Sequence, residues 1–444
     1  MRQNFIECAV KHIARQKVQF DMGQVIEISG GTIEVAGLGA KVRLGDRVVV
    51  QANDGARIGQ IVKLSMENVI VLIELGASGV AIGDRVRTDG EAHFAPNDYW
   101  LGRVVDPSGN PLDGRPLLPG SVSMRVEAAA PPAHARRKLG KRLETGLAVF
   151  NTFLPIVRGQ RIGLFAGSGV GKSTLLGNLA QTVQADVIVI ALVGERGREL
   201  QHFVTDILGA EGMARTVVVA ATSDQAPQVR RRCAPAAMAV AEHFRNAGKQ
   251  VLLLVDSVTR FCEAHRELAV AGGEAANLRG YPASTGPAIA ALCERAGPGA
   301  DEQGDITAIF SVLVAGSDMD EPVADMLRGV LDGHIVLDRE IAERGRFPAI
   351  DLLRSVSRSL PDAASDLENG LIAQGRRLLG QYDRAALMVQ SGLYVGGSDP
   401  ETDKAIACFP ALDGFLAMSD ARGITAHFAK LRQAVSKQRP TDGP

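Results

Sequence analysis

Two hydrophobic periodicities divide the chain. Between about Val18 and Thr88, short apolar stretches alternate with polar residues and stop at glycine turns, as in "GQVIEISGGTIEVAG", "VRLGDRVVVQ", "RIGQIVKLSMENVIVLIEL" and "GVAIGDRVRT". Strands this short, with turn residues recurring between them, predict a small β-barrel. From Arg161 onward the apolar runs become continuous: Arg161–Ala166, "DVIVIALVG" (186–194), "RTVVVAAT" (215–222), "QVLLLVDS" (250–257) and "DITAIFSVLVAG" (305–316). Val, Leu and Ile runs alternating with helical stretches predict an α/β core whose parallel sheet is covered on both faces. Beyond about Pro361 the strand signal ends, and 363–390, 399–419 and 421–438 read as helices of a C-terminal domain.

Phe5, Ile6, Ala9, Val10 and Ile13 recur at helical spacing. That segment either packs on its own domain or docks on a partner. The stretches "GRVVDPSGNPLDGRPLLPG" (102–120) and "AAAPPAHARRKLGKR" (128–142) are rich in Gly and Pro and mark the join between barrel and core. The expected organisation is a helical segment over 1–17, a barrel over 18–92, a core domain over 93–360 and a helical domain over 361–444.

Composition narrows the classes. The 49 Lys and Arg against 50 Asp and Glu leave no basic excess for nucleic acid. The barrel stretch offers only Phe20 as a stacking aromatic, so an assembly role is expected rather than oligonucleotide binding. Cys8, Cys233, Cys262, Cys293 and Cys408 lie far apart without metal-ligand spacing and read as reduced thiols. No apolar run approaches the roughly 20 residues of a bilayer span, and Glu7, Lys11 and Arg15 interrupt any signal-like core. A cytoplasmic protein is expected.

"RIGLFAGSGVGKST" (161–174) is a strand entering a glycine loop that opens a helix. Backbone N–H groups over Gly167, Ser168, Gly169, Val170 and Gly171, together with the helix start, can wrap a phosphate chain. Lys172 would neutralise the β- and γ-phosphates, and the Ser173 hydroxyl, followed by Thr174, would hold Mg²⁺. Ala166 replaces the first glycine of the motif, at a strand end that tolerates one methyl group. Asp256 closes an apolar strand and is either a carboxylate that orients Mg²⁺ or the cap of the next helix. Glu195 follows another strand; spacing alone favours a surface ion pair with Arg196 or Arg198 over a general base.

The blocks "LFAGSGVGKST", "GERGREL", "LLLVDSVTRF", "RGYPAS", "DMDEPVADMLRGVLDGHIVLDR" and "RFPAIDLLRSVSRSL" stand in one order over residues 20 to 420. In that order the chain resembles the rotary-type hexameric ATPases and, within them, the type III protein-export ATPases, most closely the flagellar branch. The resemblance implies a P-loop (RecA-like) core, ATP hydrolysis with Mg²⁺ and a homohexameric ring at the inner membrane. It implies partners among regulator, stalk and export-gate proteins, export substrates and chaperones. By the same resemblance Lys172 and Ser173 serve phosphates and metal, Glu195 is the catalytic glutamate with Arg196 beside it, and Asp256 orients magnesium-bound water. Arg358 matches an arginine finger reaching a neighbouring subunit, and Phe347 an adenine-stacking aromatic. Alanine at position 166 is common in export ATPases. The stretch 269–286 departs from the family in lacking paired prolines after its glutamate. Phe409 and Phe415 read as core more readily than as adenine contacts. An injectisome ATPase shares these motifs; a rotary synthase catalytic subunit, an RNA-binding transcription terminator and a non-hydrolysing ring subunit fit less well.

Overall fold

Alternate residues of a single strand enter two different cores. In the strand Val187–Glu195, Ile188, Ile190 and Leu192 pack into one hydrophobic cluster, and Val187, Val189, Ala191 and Val193 into another. That double burial explains why the sequence shows continuous apolar runs instead of alternation. The computed structural model describes residues 20–90, 93–314, 319–420 and 422–436. The helical segment expected over 1–17 lies outside the described residues.

The main sheet runs in the order 350–357, 333–337, 161–166, 305–313, 251–256, 187–195, 216–222, 103–105. Neighbours in this order are parallel except the pair 333–337 and 350–357, and the short strand Gly297–Pro298 adds antiparallel to 305–306. One face carries the helix Lys172–Thr182 and the C-terminal helices Asp366–Gln390, Pro400–Leu416 and Gly423–Val435. The other carries Pro227–Asn246, Val258–Ala271 and Thr285–Glu294. Buried Ala234, Ala236, Ala237, Ala239 and Ala241 leave the helix Pro227–Asn246 little side-chain bulk where it meets the sheet.

Three strands of this order go beyond the sequence reading. Arg103–Val105 lies inside the glycine- and proline-rich join, yet adds to the sheet edge against 217–219. Arg103 is held there by Asp113 at 2.6 Å. Gly333–Leu337 and Ile350–Ser357 lack a long apolar run; in the latter Leu353 and Val356 are exposed, as an edge strand permits.

The expected barrel is a closed, six-stranded antiparallel one over Met22–Gly90, filled by residues such as Val25, Ile33, Val35, Val48, Ile61 and Val71. Phe20 is engaged by the Arg87 guanidinium, 4.6 Å from its ring centre. No helix among the described residues is long and apolar enough to cross a membrane.

The C-terminal helices are locked to the core by a buried polar relay. Asn151 Oδ1 accepts from the backbone N–H and the hydroxyl of Thr145, both at 3.0 Å. Its amide Nδ2 therefore donates to His427 Nδ1 at 3.0 Å, which leaves the imidazole proton on Nε2, 3.0 Å from Asp420 Oδ1. Burial pushes the His427 pKa below its ordinary 6.5, against the pull of Asp420 and with Lys430 and Arg422 adding to the fall. The unfolded imidazole takes up its proton first as pH drops, so this contribution is complete above about pH 6.5 and is lost as pH falls through the lower folded pKa. Urea unfolding at pH 7.5 and pH 5.5 checks this: the wild-type midpoint should fall more than that of His427→Gln, which keeps a donor and an acceptor without the titration. Parallel falls would remove the role given to His427.

Candidate functional site

Three parallel strands bring Ala166, Glu195 and Asp256 to the same edge of the sheet, at their carboxyl ends. The chain leaves Ala166 through Gly167, turns, and starts the helix at Lys172. Val170 is 2% exposed and anchors the loop, while Ser168, Gly169, Ser173 and Thr174 face outward. Gly171 caps the helix with φ of 87°, in the left-handed region, and no side chain bonds the first-turn N–H groups. Those donors and the positive end of the helix face the loop, which suits them to an anion.

Lys172 sits between two carboxylates. Its ammonium donates to Asp256 Oδ1 and lies 3.9 Å from Glu195 Oε1. Asp256 is 3% exposed, and the same Oδ1 accepts from the Ser311 hydroxyl at 2.6 Å. The alternative of Asp256 as a helix cap falls away, because Ser257 caps Val258–Ala271 and accepts from the Arg260 N–H. Two peptide bonds at the site are cis, Asp256–Ser257 and Phe347–Pro348.

Glu195 is not in the surface ion pair that spacing favoured. Arg196 is largely exposed and pairs with Glu199 at 3.6 Å. Glu195 is half-buried instead, and burial, a hydrogen bond with Glu199 and the charge of Asp256 push its pKa up to about 8 against the pull of Lys172. Arg260, which the sequence reading did not single out, lays its stem against Gly194 and pairs with Glu263 at 2.8 Å. Ser311 was also missed, although a lone hydroxyl in the apolar run "AIFSVLV" was a signal.

Phe347 is half-exposed and lies against the loop: a Cβ placed on Gly171 would come 3.3 Å from Phe347 Cδ1. The buried Arg346 braces this turn, donating to the Pro348 and Ile350 carbonyls at 3.1 and 2.8 Å and pairing with Asp413 at 3.0 Å. Phe415 packs edge-on to Phe153, and Phe409 stacks on Tyr382 at 3.6 Å, so both belong to C-terminal packing.

Arg358 is elsewhere. Its N–H bonds the Asp332 carbonyl, and the Asp332 N–H bonds the Arg161 carbonyl, so it is level with the start of the strand whose far end opens the loop. At about 3.3 Å per residue, that strand separates the two by roughly 16 Å. Its guanidinium donates to the Arg328 carbonyl, away from the loop.

The donor chemistry fits magnesium. Ser173 and Asp256 offer hard oxygens, and among the described residues no group of three or more His, Cys, Asp or Glu could hold a metal by itself. Magnesium in such sites takes one or two protein oxygens and completes its shell with phosphates and water.

Residues 146–357 match the model of the ATP synthase alpha/beta family, nucleotide-binding domain, and residues 365–433 that of the T3SS EscN ATPase C-terminal domain. The chain is 43% identical over 391 residues to the flagellum-specific ATP synthase of Rhizobium meliloti, covering 88% of this chain and 84% of that protein. It is 39% identical to the flagellum-specific ATP synthase of Salmonella typhimurium, covering 89% of each. The assembled ATPase EscN of the enteropathogenic E. coli type III secretion system superposes with a TM-score of 0.87 at 34% identity, over 93% of this chain and 100% of that one. EscN in complex with its central stalk EscO gives a TM-score of 0.83 at 35% identity, with the same coverage.

The two left-handed glycines of the loop separate backbone strain from contact. Gly169, with φ of 77°, has open space where a Cβ would go, whereas Gly171 has the Phe347 ring. Gly169→Ala should cost about 1–2 kcal/mol of backbone strain, and Gly171→Ala distinctly more. Thermal melts without nucleotide compare them; equal losses would mean that Phe347 does not rest on the loop.

Proposed function

The chain belongs to the flagellum-specific ATP synthase family, with a C-terminal domain of the type III secretion ATPase kind, and on that premise we propose that it hydrolyses ATP in the cytoplasm to energise export of flagellar proteins across the inner membrane. The observation that carries the hydrolysis is Lys172 held between Asp256 and Glu195 at the mouth of the phosphate loop, and the flagellar client rests on the likeness to the flagellum-specific relatives.

In this reading the loop from Gly167 to Thr174 wraps the phosphates with backbone N–H groups, and Lys172 moves from Asp256 to the β- and γ-phosphate oxygens. Phe347 stacks on the adenine. Magnesium supplies positive charge across the phosphate oxygens when bound, and the Ser173 hydroxyl and Asp256 carboxylate are the groups that would hold it. Glu195 orients the attacking water and takes its proton; a pKa near 8 suits a base that works close to neutral pH. Arg196 flanks it.

Arg358 serves a neighbouring copy, stabilising charge that develops on the γ-phosphate. Its distance from its own loop supports that assignment. A chain carrying both Glu195 and Arg358 completes every site of a homohexamer, and the assembled state of EscN supports such an assembly. Peripheral docking at a membrane export gate, a central stalk like that bound to EscN, and regulators, chaperones and export substrates follow as partners. An injectisome client is the second reading, favoured by the likeness to EscN. Restored swimming in a flagellated strain lacking its export ATPase would decide for the first.

Phosphate release measures the chemistry. Lys172→Ala and Glu195→Gln should each lower kcat at least about 100-fold, with Glu195→Gln still binding nucleotide. Rings mixed from Arg358→Ala and Glu195→Gln chains should regain part of the activity, since some interfaces then hold an intact glutamate and an intact arginine. Defined mixed rings with no recovery would refute action in trans.

A further inference from the structure

Asp256 Oδ1 has two donors, and the proposed chemistry takes one of them away. Lys172 and the Ser311 hydroxyl both bond that oxygen, the latter at 2.6 Å. When phosphates draw the ammonium off, a carboxylate only 3% exposed is left with little water to replace it. Ser311 stands on the central strand Asp305–Leu313, paired with the phosphate-loop strand on one side, where it is in register with Leu164. On the other side that strand pairs with the one ending at Asp256, with Phe310 in register with Val255.

The strand end is pinned from both sides. Leu313 N–H donates to Thr259 Oγ1 at 2.9 Å, three residues beyond Asp256, and Val314 N–H donates to the Ala166 carbonyl at 3.1 Å. The strand that carries the hydroxyl therefore has little freedom to follow a rotating carboxylate. It fixes the carboxylate instead.

We infer that Ser311 is a positioning residue which holds Asp256 fixed in rotation once Lys172 has transferred to the nucleotide, leaving Oδ2 as the oxygen that would turn to magnesium and its water. The inference rests on the reading of Asp256 as the magnesium-orienting carboxylate. Without the hydroxyl, the Asp256 anion depends on Lys172 alone. The ion pair then competes harder with phosphates for the ammonium, and the carboxylate is free to turn.

The test titrates Mg²⁺ against binding of a fluorescent methylanthraniloyl-ADP, and separately against phosphate release, in the full chain. Ser311→Ala should raise the Mg²⁺ concentration at half-maximal binding roughly tenfold, the size expected for one hydrogen bond to a charged group. Ser311→Thr should restore the wild-type midpoint, because it keeps the hydroxyl. Ser311→Cys, close to serine in size and a weak donor, should fall between, and it serves if the alanine chain does not fold by thermal melting. A Thr variant as impaired as Ala would make Ser311 a packing residue and overturn the inference. Ser311→Ala with a wild-type midpoint would overturn it while leaving the site intact, provided Asp256→Asn shifts the midpoint. If Asp256→Asn shifts nothing, the reading of the site fails, and this inference fails with it.

Discussion

One ammonium compensates two carboxylates at the edge of a sheet whose interior is hydrocarbon, and the arrangement of the site follows from that shortage of positive charge. Asp256 takes the ammonium of Lys172 directly and Glu195 lies 3.9 Å from it. Burial, a hydrogen bond with Glu199 and the charge of Asp256 push Glu195 up to about 8 against the pull of that ammonium. Desolvating a carboxylate without a partner costs several kcal/mol, so the ammonium of Lys172 stabilises the free site. A phosphate chain carrying a divalent cation changes that balance. The cation can take over the neutralisation of Asp256, and the phosphates can take the lysine. Under the proposed reading, such an exchange of partners would tie nucleotide binding to metal binding.

The C-terminal helices grip the segment that bounds this exchange. Arg346 reaches Asp413 on the helix Pro400–Leu416 while holding the turn that presents Phe347. Arg376, on the helix Asp366–Gln390, donates to the Leu352 and Ser355 carbonyls at 3.0 and 3.1 Å, along the strand that leads to Arg358. The relay from Asn151 through His427 to Asp420 fastens the third helix to the core. A displacement of the helical domain therefore bears on both ends of residues 346–358. One end touches the phosphate loop, and the other carries the arginine assigned to a neighbour.

Legibility followed burial. Strands hidden on both faces announced themselves as apolar runs, and the boundaries read for 161–166, 187–195, 216–222 and 251–256 lie within a residue or so of the observed ones. The barrel was visible because its alternation is a different signal from the continuous runs of the core. Edge strands were not visible. Arg103–Val105 is held by pairing and by the Arg103–Asp113 bond inside a stretch composed like a loop, and Ile350–Ser357 mixes charged and apolar residues. The loop, Lys172, Asp256 and Glu195 were legible as candidates, Glu195 only through family resemblance, and the structure brings them together. The separation of Glu195 from Arg196 depends on how the chain turns after the strand. Ser311 was hidden because its meaning lies across the sheet, 55 residues from its partner.

The placement of Arg358 turns the sheet's polarity into an argument about assembly. In a parallel sheet all carboxyl ends share one edge, so groups at those ends converge on one ligand. The strand Ile350–Ser357 is antiparallel to its neighbour, with Ser357 opposite Gly333 and Ile350 opposite Leu337. Its beginning, just after Phe347, is therefore at the nucleotide edge, and its end, just before Arg358, is at the other. Hydrogen bonding through Asp332 to Arg161 fixes that end to the floor of the same sheet. A hinge that brought Arg358 to its own phosphate loop would have to break the pairing of 333–337 with 350–357 and unseat Phe347 in the same motion. Under the proposed reading, one antiparallel strand thus gives each copy a nucleobase contact for itself and an arginine for its neighbour, and hydrolysis becomes a property of the interface.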